Sequence, residues 1–172
     1  LTPLNYEKII KNSFKKFSPK ILIYKDKQLE KNFPLVDFVG RSSENKPVVA
    51  IQLWTPLAVA GDNVAQASLG LLFQTGQGTE VDFIRALELF RASAKQGYPF
   101  AFTALGNSYH EGLGVKENRR IALIWFLLGA EHDPNSAFMA QALMTEIPEK
   151  EVQSLIQKAV VCQNSNYLKC DF

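Results

Sequence analysis

Apolar residues return at three- and four-residue spacing through the middle of the chain. Ala65, Leu69, Leu72 and Phe73 form one set, and Ala86, Leu87, Phe90 and Ala94 another. That period places each set on one face of an amphipathic helix. The stretch between them, Thr75-Gly76-Gln77-Gly78, carries two glycines, which permit the positive φ that a helix C-terminus and a tight turn need. The whole arrangement is then written again. Gly61, Ala65, Leu69, Gly70, Gly76, Gly78, Ala86, Leu87, Phe90 and Ala94 are answered 36 residues later by Gly97, Ala101, Leu105, Gly106, Gly112, Gly114, Ala122, Leu123, Phe126 and Ala130. The register reaches backwards through Ala50, Ile51, Trp54 and Ala58, and it fades forwards, where Ala137 and Ala142 answer Ala101 and Gly106. A period of roughly 20 to 50 residues marks stacked supersecondary units, none able to bury its apolar face alone. The pattern predicts an all-α fold, an α/α superhelical solenoid of helix-turn-helix repeats.

Within each unit the ends of the helices are also written in register. Asp82 and Asn118 are placed to cap the second helix by accepting hydrogen bonds from its first free N–H groups. Gly61 and Gly97 are expected to stop the second helices in the left-handed conformation, and Asp133 to do so in the third copy. Repeated alanines allow close helix approach, while Trp54, Phe90 and Phe126 are expected to fill the space between layers.

A small residue and Gly, then A-x-x-x-L-G, an aromatic, G-x-G and A-L-x-x-F-x-x-(S/G)-A resembles the Sel-one-like repeat (SLR), a relative of the tetratricopeptide repeat. Phe73 and Tyr109 supply the aromatic, and the resemblance covers about residues 46 to 146. The third copy departs from it: Gln141 stands for the leucine, Thr145 for the aromatic, and Pro148 falls where the glycine loop belongs. Three segments follow: 1–45, an N-terminal amphipathic helix and irregular capping segment; 46–146, the repeats; and 147–172, a C-terminal capping helix and disulfide-closed tail.

In the first segment, Tyr6, Ile9, Ile10, Ser13, Phe14 and Phe17 mark one helix face and Lys8, Lys11 and Lys15 the other, with Pro19 ending it. A basic amphipathic helix suits an anionic membrane or an acidic partner. The stronger expectation is a cap, since a solenoid needs its open end covered. Ile21-Leu22-Ile23-Tyr24 reads as a short strand or buried extended piece, and residues 33–39 as a degenerate first unit or irregular packing. Pro47 suits the first turn of the next helix.

Composition adds boundaries. The 172 residues are 47% hydrophobic and 21% charged, ordinary for one soluble domain, and a net charge of +2 is too small to imply nucleic-acid binding across the surface. Lysines crowd the first 31 residues. No apolar run of about 18 residues exists, so no spanning helix is expected. The chain starts at Leu1, which is compatible with a removed signal peptide and equally with trimming. Cys162 and Cys170 are the only cysteines. They are either two free thiols, as in a reducing cell, or a disulfide, whose short loop would contribute about 2 to 3 kcal/mol. Their spacing, after Lys158-Ala159, resembles the disulfide spacing of the cysteine-rich secreted branch of the family. That resemblance implies a Cys162–Cys170 bridge and a bacterial periplasmic or secreted location.

Catalytic chemistry is not written here. His110-Glu111 opens like a zinc-protease helix, yet Gly114 stands where the second histidine must be, so His110 reads as a surface residue of the repeat. His132-Asp133 are adjacent and do not face each other as base and orienting carboxylate would. Gly76 and Gly78 follow no strand, and Val81 occupies the third glycine position of a dinucleotide fingerprint. No catalytic residue, metal or cofactor is expected.

The expectation is a non-enzymatic module that binds another protein or a peptide segment on a concave face lined by the first helix of each unit. Gln66, Ser68, Phe102, Thr103 and Asn107 are the candidate contacts, with Phe102 as an exposed anchor. Resemblance to the family implies an adaptor role in envelope assembly, signalling or host interaction. Its cysteine-rich branch implies the alternative, a secreted protein that binds or hydrolyses peptidoglycan fragments or β-lactams.

Overall fold

The computed structural model describes residues 46–168, 170 and 172, all within one compact unit, Glu44–Phe172. The expected N-terminal helix, its cap role and the extended pieces before residue 46 lie outside the described residues. Seven helices and no strands make up the described chain: α1 (Lys46–Val59), α2 (Asn63–Thr75), α3 (Phe83–Ala94), α4 (Pro99–Glu111), α5 (Arg119–Gly129), α6 (Pro134–Glu146) and α7 (Glu149–Asn164). Successive helices pack in pairs, α2 on α3 and α4 on α5, and α7 packs back onto α5. This is an all-α solenoid.

The register seen in the sequence is a register of contacts. Gly76 and Gly112 end α2 and α4 in the left-handed conformation at φ 68° and 73°, their N–H groups donating to the Leu72 and Ser108 carbonyls. The loop that follows closes identically in both copies. The Asp82 N–H donates to the Phe73 carbonyl and the Asn118 N–H to the Tyr109 carbonyl, each at 2.8 Å. Asp82 and Asn118 then cap α3 and α5 as expected, accepting from Arg85 N and from Arg120 and Ile121 N.

Helix pairs lock through a glycine and a ring. A Cβ on Gly70 would meet the Phe90 ring at 2.7 Å, and one on Gly106 the Phe126 ring at 2.6 Å. Each first helix thus gives up a side chain so that the second helix can seat a phenylalanine with no exposure to solvent. Trp54, expected in the same role, is only half-buried.

One expected stop is corrected. Gly61 and Gly97 adopt positive φ, at 94° and 75°, but Asp133 has φ −137°. It is the N-cap of α6, accepting from Asn135 N and Ser136 N. An extended backbone is what a capping carboxylate needs, so the short polar side chain serves the helix that follows.

Candidate partner-binding surface

Each first helix buries one stripe and turns another to solvent. On α2 the buried stripe is Ala65, Leu69, Leu72 and Phe73. The opposite one runs Val64, Ser68, Leu71 and Thr75, with Val64 48% and Leu71 38% exposed. On α4 the outward stripe is Phe100, Thr103, Asn107 and Glu111, and Phe100 is 40% exposed. α6 continues with Phe138, Gln141 and Thr145, and Phe138 is 67% exposed. Large apolar side chains therefore recur, uncovered, on three successive first helices. Among the described residues, exposed large apolar side chains also occur on α1 (Leu53, Val59), α3 (Phe83, Ile84) and α7 (Val160, Val161), and none of them lies on α5.

The candidate contacts distribute unevenly over this surface. Ser68 and Asn107 sit half-buried within the outward stripes. Thr103 also lies there, but its hydroxyl is engaged: it donates to Asp133 Oδ2 at 3.0 Å and pairs with Ser136 Oγ at 2.7 Å. Gln66 is buried, its amide donating to the Ala58 carbonyl at 3.1 Å and accepting from Gln96 Nε2 at 2.9 Å. It ties α1 and the end of α3 to α2, so its polar group is spent inside the molecule.

Phe102 corrects the expectation of an exposed ring: it has no exposure to solvent. The ring stacks on Trp125 at 6.1 Å between centroids and meets Tyr167 at 4.9 Å. Two residues along an α-helix turn about 200°, so Phe100 and Phe102 point to opposite sides of α4. The aromatic that the outward face carries is Phe100. Sequence reasoning passed over it together with Val64, Leu71 and Phe138. The signal was present, since Val64 precedes Phe100 by one repeat length and both lie one residue before the core alanines Ala65 and Ala101.

The junction of Thr103, Asp133 and Ser136 is a hydrogen-bonded polar cluster next to this face. Burial acts to raise the Asp133 pKa, but hydrogen bonds from the Asn135 and Ser136 backbone and the Thr103 and Ser136 hydroxyls outweigh it and hold the carboxyl below its usual value. Its folded-state pKa is depressed, so the stability it contributes is present above the ordinary carboxylate range and is lost as pH falls through the folded value. Replacing Asp133 by alanine is expected to lower stability at neutral pH by about 0.5 to 2 kcal/mol, the worth of an N-cap. The deficit relative to wild type should shrink in acid. Chemical denaturation at neutral pH and below pH 3 checks both parts; a deficit that does not change with pH would contradict the assignment.

His110 is half-buried, and its Nδ1 is a buried atom without a hydrogen-bond partner, so it is less of a surface residue than expected. No group of three histidine, cysteine, aspartate or glutamate side chains is gathered among the described residues. No helix among them is long and apolar enough to cross a membrane. Cys162 and Cys170 are joined as a disulfide, with Cα atoms 4.9 Å apart.

Stacked helix pairs closed by glycine turns define the class: an α-solenoid built of short helix-turn-helix repeats. Comparison with known proteins sharpens that statement. Residues 63–98 and 103–134 match the Sel1 repeat model, so the chain carries Sel1 repeats. It is 29% identical over 122 residues to human protein sel-1 homolog 2, an alignment covering 71% of this chain and 17% of that protein. It also superposes on the crystal structure of c5321, a protective antigen present in uropathogenic Escherichia coli strains and displaying an SLR fold. There the TM-score is 0.65 and the identity 25%, covering 84% of this chain and 30% of the antigen. A Sel1 repeat protein from Oxalobacter formigenes shares the fold at a TM-score of 0.53 and 23% identity, over 78% of this chain and 55% of that one. The chain thus spans less than a third of the human and E. coli relatives.

Proposed function

We propose that this protein is a non-catalytic scaffold that holds a segment of another protein against the outward face of α2, α4 and α6. Sel1 repeats are typically protein-interaction scaffolds. The observation that supports this use here is the recurrence of exposed Val64, Leu71, Phe100 and Phe138 on successive first helices. Exposed apolar side chains on successive first helices offer an extended surface for a chain segment. Ser68 and Asn107 supply the polar rim, while the Thr103 hydroxyl is taken up by Asp133 and Ser136. Gln66 and Phe102 act indirectly, by fixing the helices that carry the stripe.

The proposed place of work is the bacterial periplasm or cell envelope, as an adaptor. The Cys162–Cys170 disulfide supports an oxidising compartment, and the SLR-fold protective antigen of uropathogenic E. coli supports a bacterial setting. The domain division into a capping segment 1–45, repeats 46–146 and a C-terminal cap 147–172 belongs to the same proposal, α7 being the helix that covers α5.

Replacing Phe100 by glutamate places a charge on the outward stripe and removes the edge-on contact its ring makes with buried Phe90 at 6.5 Å. The variant is expected to remain folded with a lowered melting temperature and to lose at least tenfold in affinity for the protein that the wild type retains from its native cell. Affinity measured by surface plasmon resonance, alongside the melting curve, checks this. Undiminished binding by a folded variant would remove α4 from the binding face.

A further inference from the structure

Beyond α7 the chain turns back onto the repeats. Tyr167 lies against Phe102 and fills the space beside Gly97, where a Cβ would meet its ring at 2.7 Å. Phe172 meets Trp125 edge-on at 5.5 Å. Gly97, Phe102 and Trp125 therefore form a cradle from the α3–α4 turn, α4 and α5 that holds two aromatic side chains of one short segment. The cradle also keeps a donor in reserve. Trp125, 6% exposed, has an indole N–H without a hydrogen-bond partner, whereas a buried indole normally finds one. A main-chain carbonyl of a docked segment is the group it would donate to.

The segment is held in place by constraint as much as by fit. The disulfide ties it to fully buried Cys162 at the end of α7, and the Tyr167 N–H donates to the Cys162 carbonyl at 3.0 Å. Asn166 and Tyr167 are consecutive and both left-handed, at φ 52° and 62°. Asparagine tolerates that conformation, whereas a bulky residue such as Tyr167 adopts it where its surroundings hold it there.

We propose that the cradle of Gly97, Phe102 and Trp125 is a docking groove for a peptide segment bearing two aromatic side chains. The chain's own Tyr167 and Phe172 fill it in cis under the Cys162–Cys170 bond, and reduction of that bond opens it. This inference rests on the scaffold reading for the existence of a partner segment. Cys162 is buried and Cys170 only half-buried, so an external dithiol attacks the Cys170 sulfur and Cys162 leaves as a thiolate that takes up a proton. The second thiol of the reductant then resolves the mixed disulfide and frees Cys170. Two electrons and two protons pass to the protein, and the reductant ends as its own disulfide. While the bond is closed, a competing segment must displace a tethered one whose effective concentration is in about the millimolar range. Once it is open, the segment remains attached through the main chain after Cys162 but loses its second anchor next to Phe172, and that advantage falls.

The test uses a fluorescent synthetic peptide spanning Gln163 to Phe172 with Cys170→Ser, titrated by anisotropy into the full chain. Oxidised chain, chain reduced with dithiothreitol, and a Cys170→Ser variant are compared. At least tenfold tighter binding to the reduced chain and to the variant is expected, with loss of binding when the peptide carries Tyr167→Ala and Phe172→Ala. Equal affinity in both redox states overturns the gate, and no binding by a reduced chain that remains helical overturns the groove. A second variant guards against unfolding: the oxidised full chain with Tyr167→Ala and Phe172→Ala has an emptied cradle and should bind the wild-type peptide, and a folded variant that does not bind it sinks the inference. A native partner held on the outward stripe while the peptide is ignored would end this proposal and leave the scaffold reading intact. Peptide binding with no native partner would do the reverse.

Discussion

Replacing Phe102 by alanine is expected to destabilise the protein by about 3 to 5 kcal/mol, the range for deleting a fully buried aromatic ring. The ring has no exposure and lies between Trp125 and Tyr167. Removing it unsupports α5 on one side and the disulfide-closed segment on the other. A shift of this size is a large part of the roughly 5 to 15 kcal/mol that holds a typical domain together. Urea denaturation should show a markedly lower midpoint with the slope unchanged. A variant as stable as wild type would return Phe102 to the surface and with it the role of an exposed anchor.

The second large effect concerns Gly106. Alanine is the better helix former, worth about 1 kcal/mol over glycine in a helix interior. At Gly106 packing wins over propensity, because the added methyl would lie 2.6 Å from ring carbons of Phe126, which has no exposed surface and no room to withdraw. Forcing a methyl group into a closed core costs about 1 to 3 kcal/mol, so the net change is expected to be destabilising. The matching substitution at Gly70 against Phe90 should behave alike, which makes the pair a test of the repeat itself. Differential scanning calorimetry of Gly106→Ala and Gly70→Ala reads the sign directly. A rise in melting temperature for either would mean that the helix pair separates easily and that the glycine is a relic of the pattern.

Periodicity made the fold legible because the forces that shape one unit act again 36 residues on. The left-handed glycines, the capping residues Asp82 and Asn118, and the buried rings of Phe90 and Phe126 all repeat, so each carried its own confirmation. What the sequence hid were contacts made once. Phe102 is answered in the preceding unit by Gln66, which argued for a position free of packing demands. Both are in fact buried, Gln66 by hydrogen bonds to Ala58 and Gln96 and Phe102 by Tyr167 and Trp125. The covering side chain arrives from beyond the last repeat, and no spacing rule within the repeats reaches that far. Asp133 was misread for a related reason. A short polar residue between two helices can end the first or begin the second, and only the backbone angle decides. Phe100 was within reach of the same register that was used for the core, as the residue one step off the alanine stripe.

Exposed ion pairs contribute little to this account. Arg119 reaches Glu146 at 2.8 Å and Arg120 pairs with Glu151, joining the start of α5 to the end of α6 and the start of α7. All four side chains are well exposed, and such pairs are worth about 0 to 1 kcal/mol. They orient the last helices without holding them.

The central claim is that a partner segment lies on the outward face of the first helices. Site-specific photocrosslinking tests it most directly, with a photoreactive residue placed at Asn107 on α4 and, in a second protein, at exposed Glu88 on α3. In the native cell, the account predicts one defined crosslinked protein from position 107 and none from position 88. Crosslinking from position 88 alone, or from neither position in a folded protein, would contradict it.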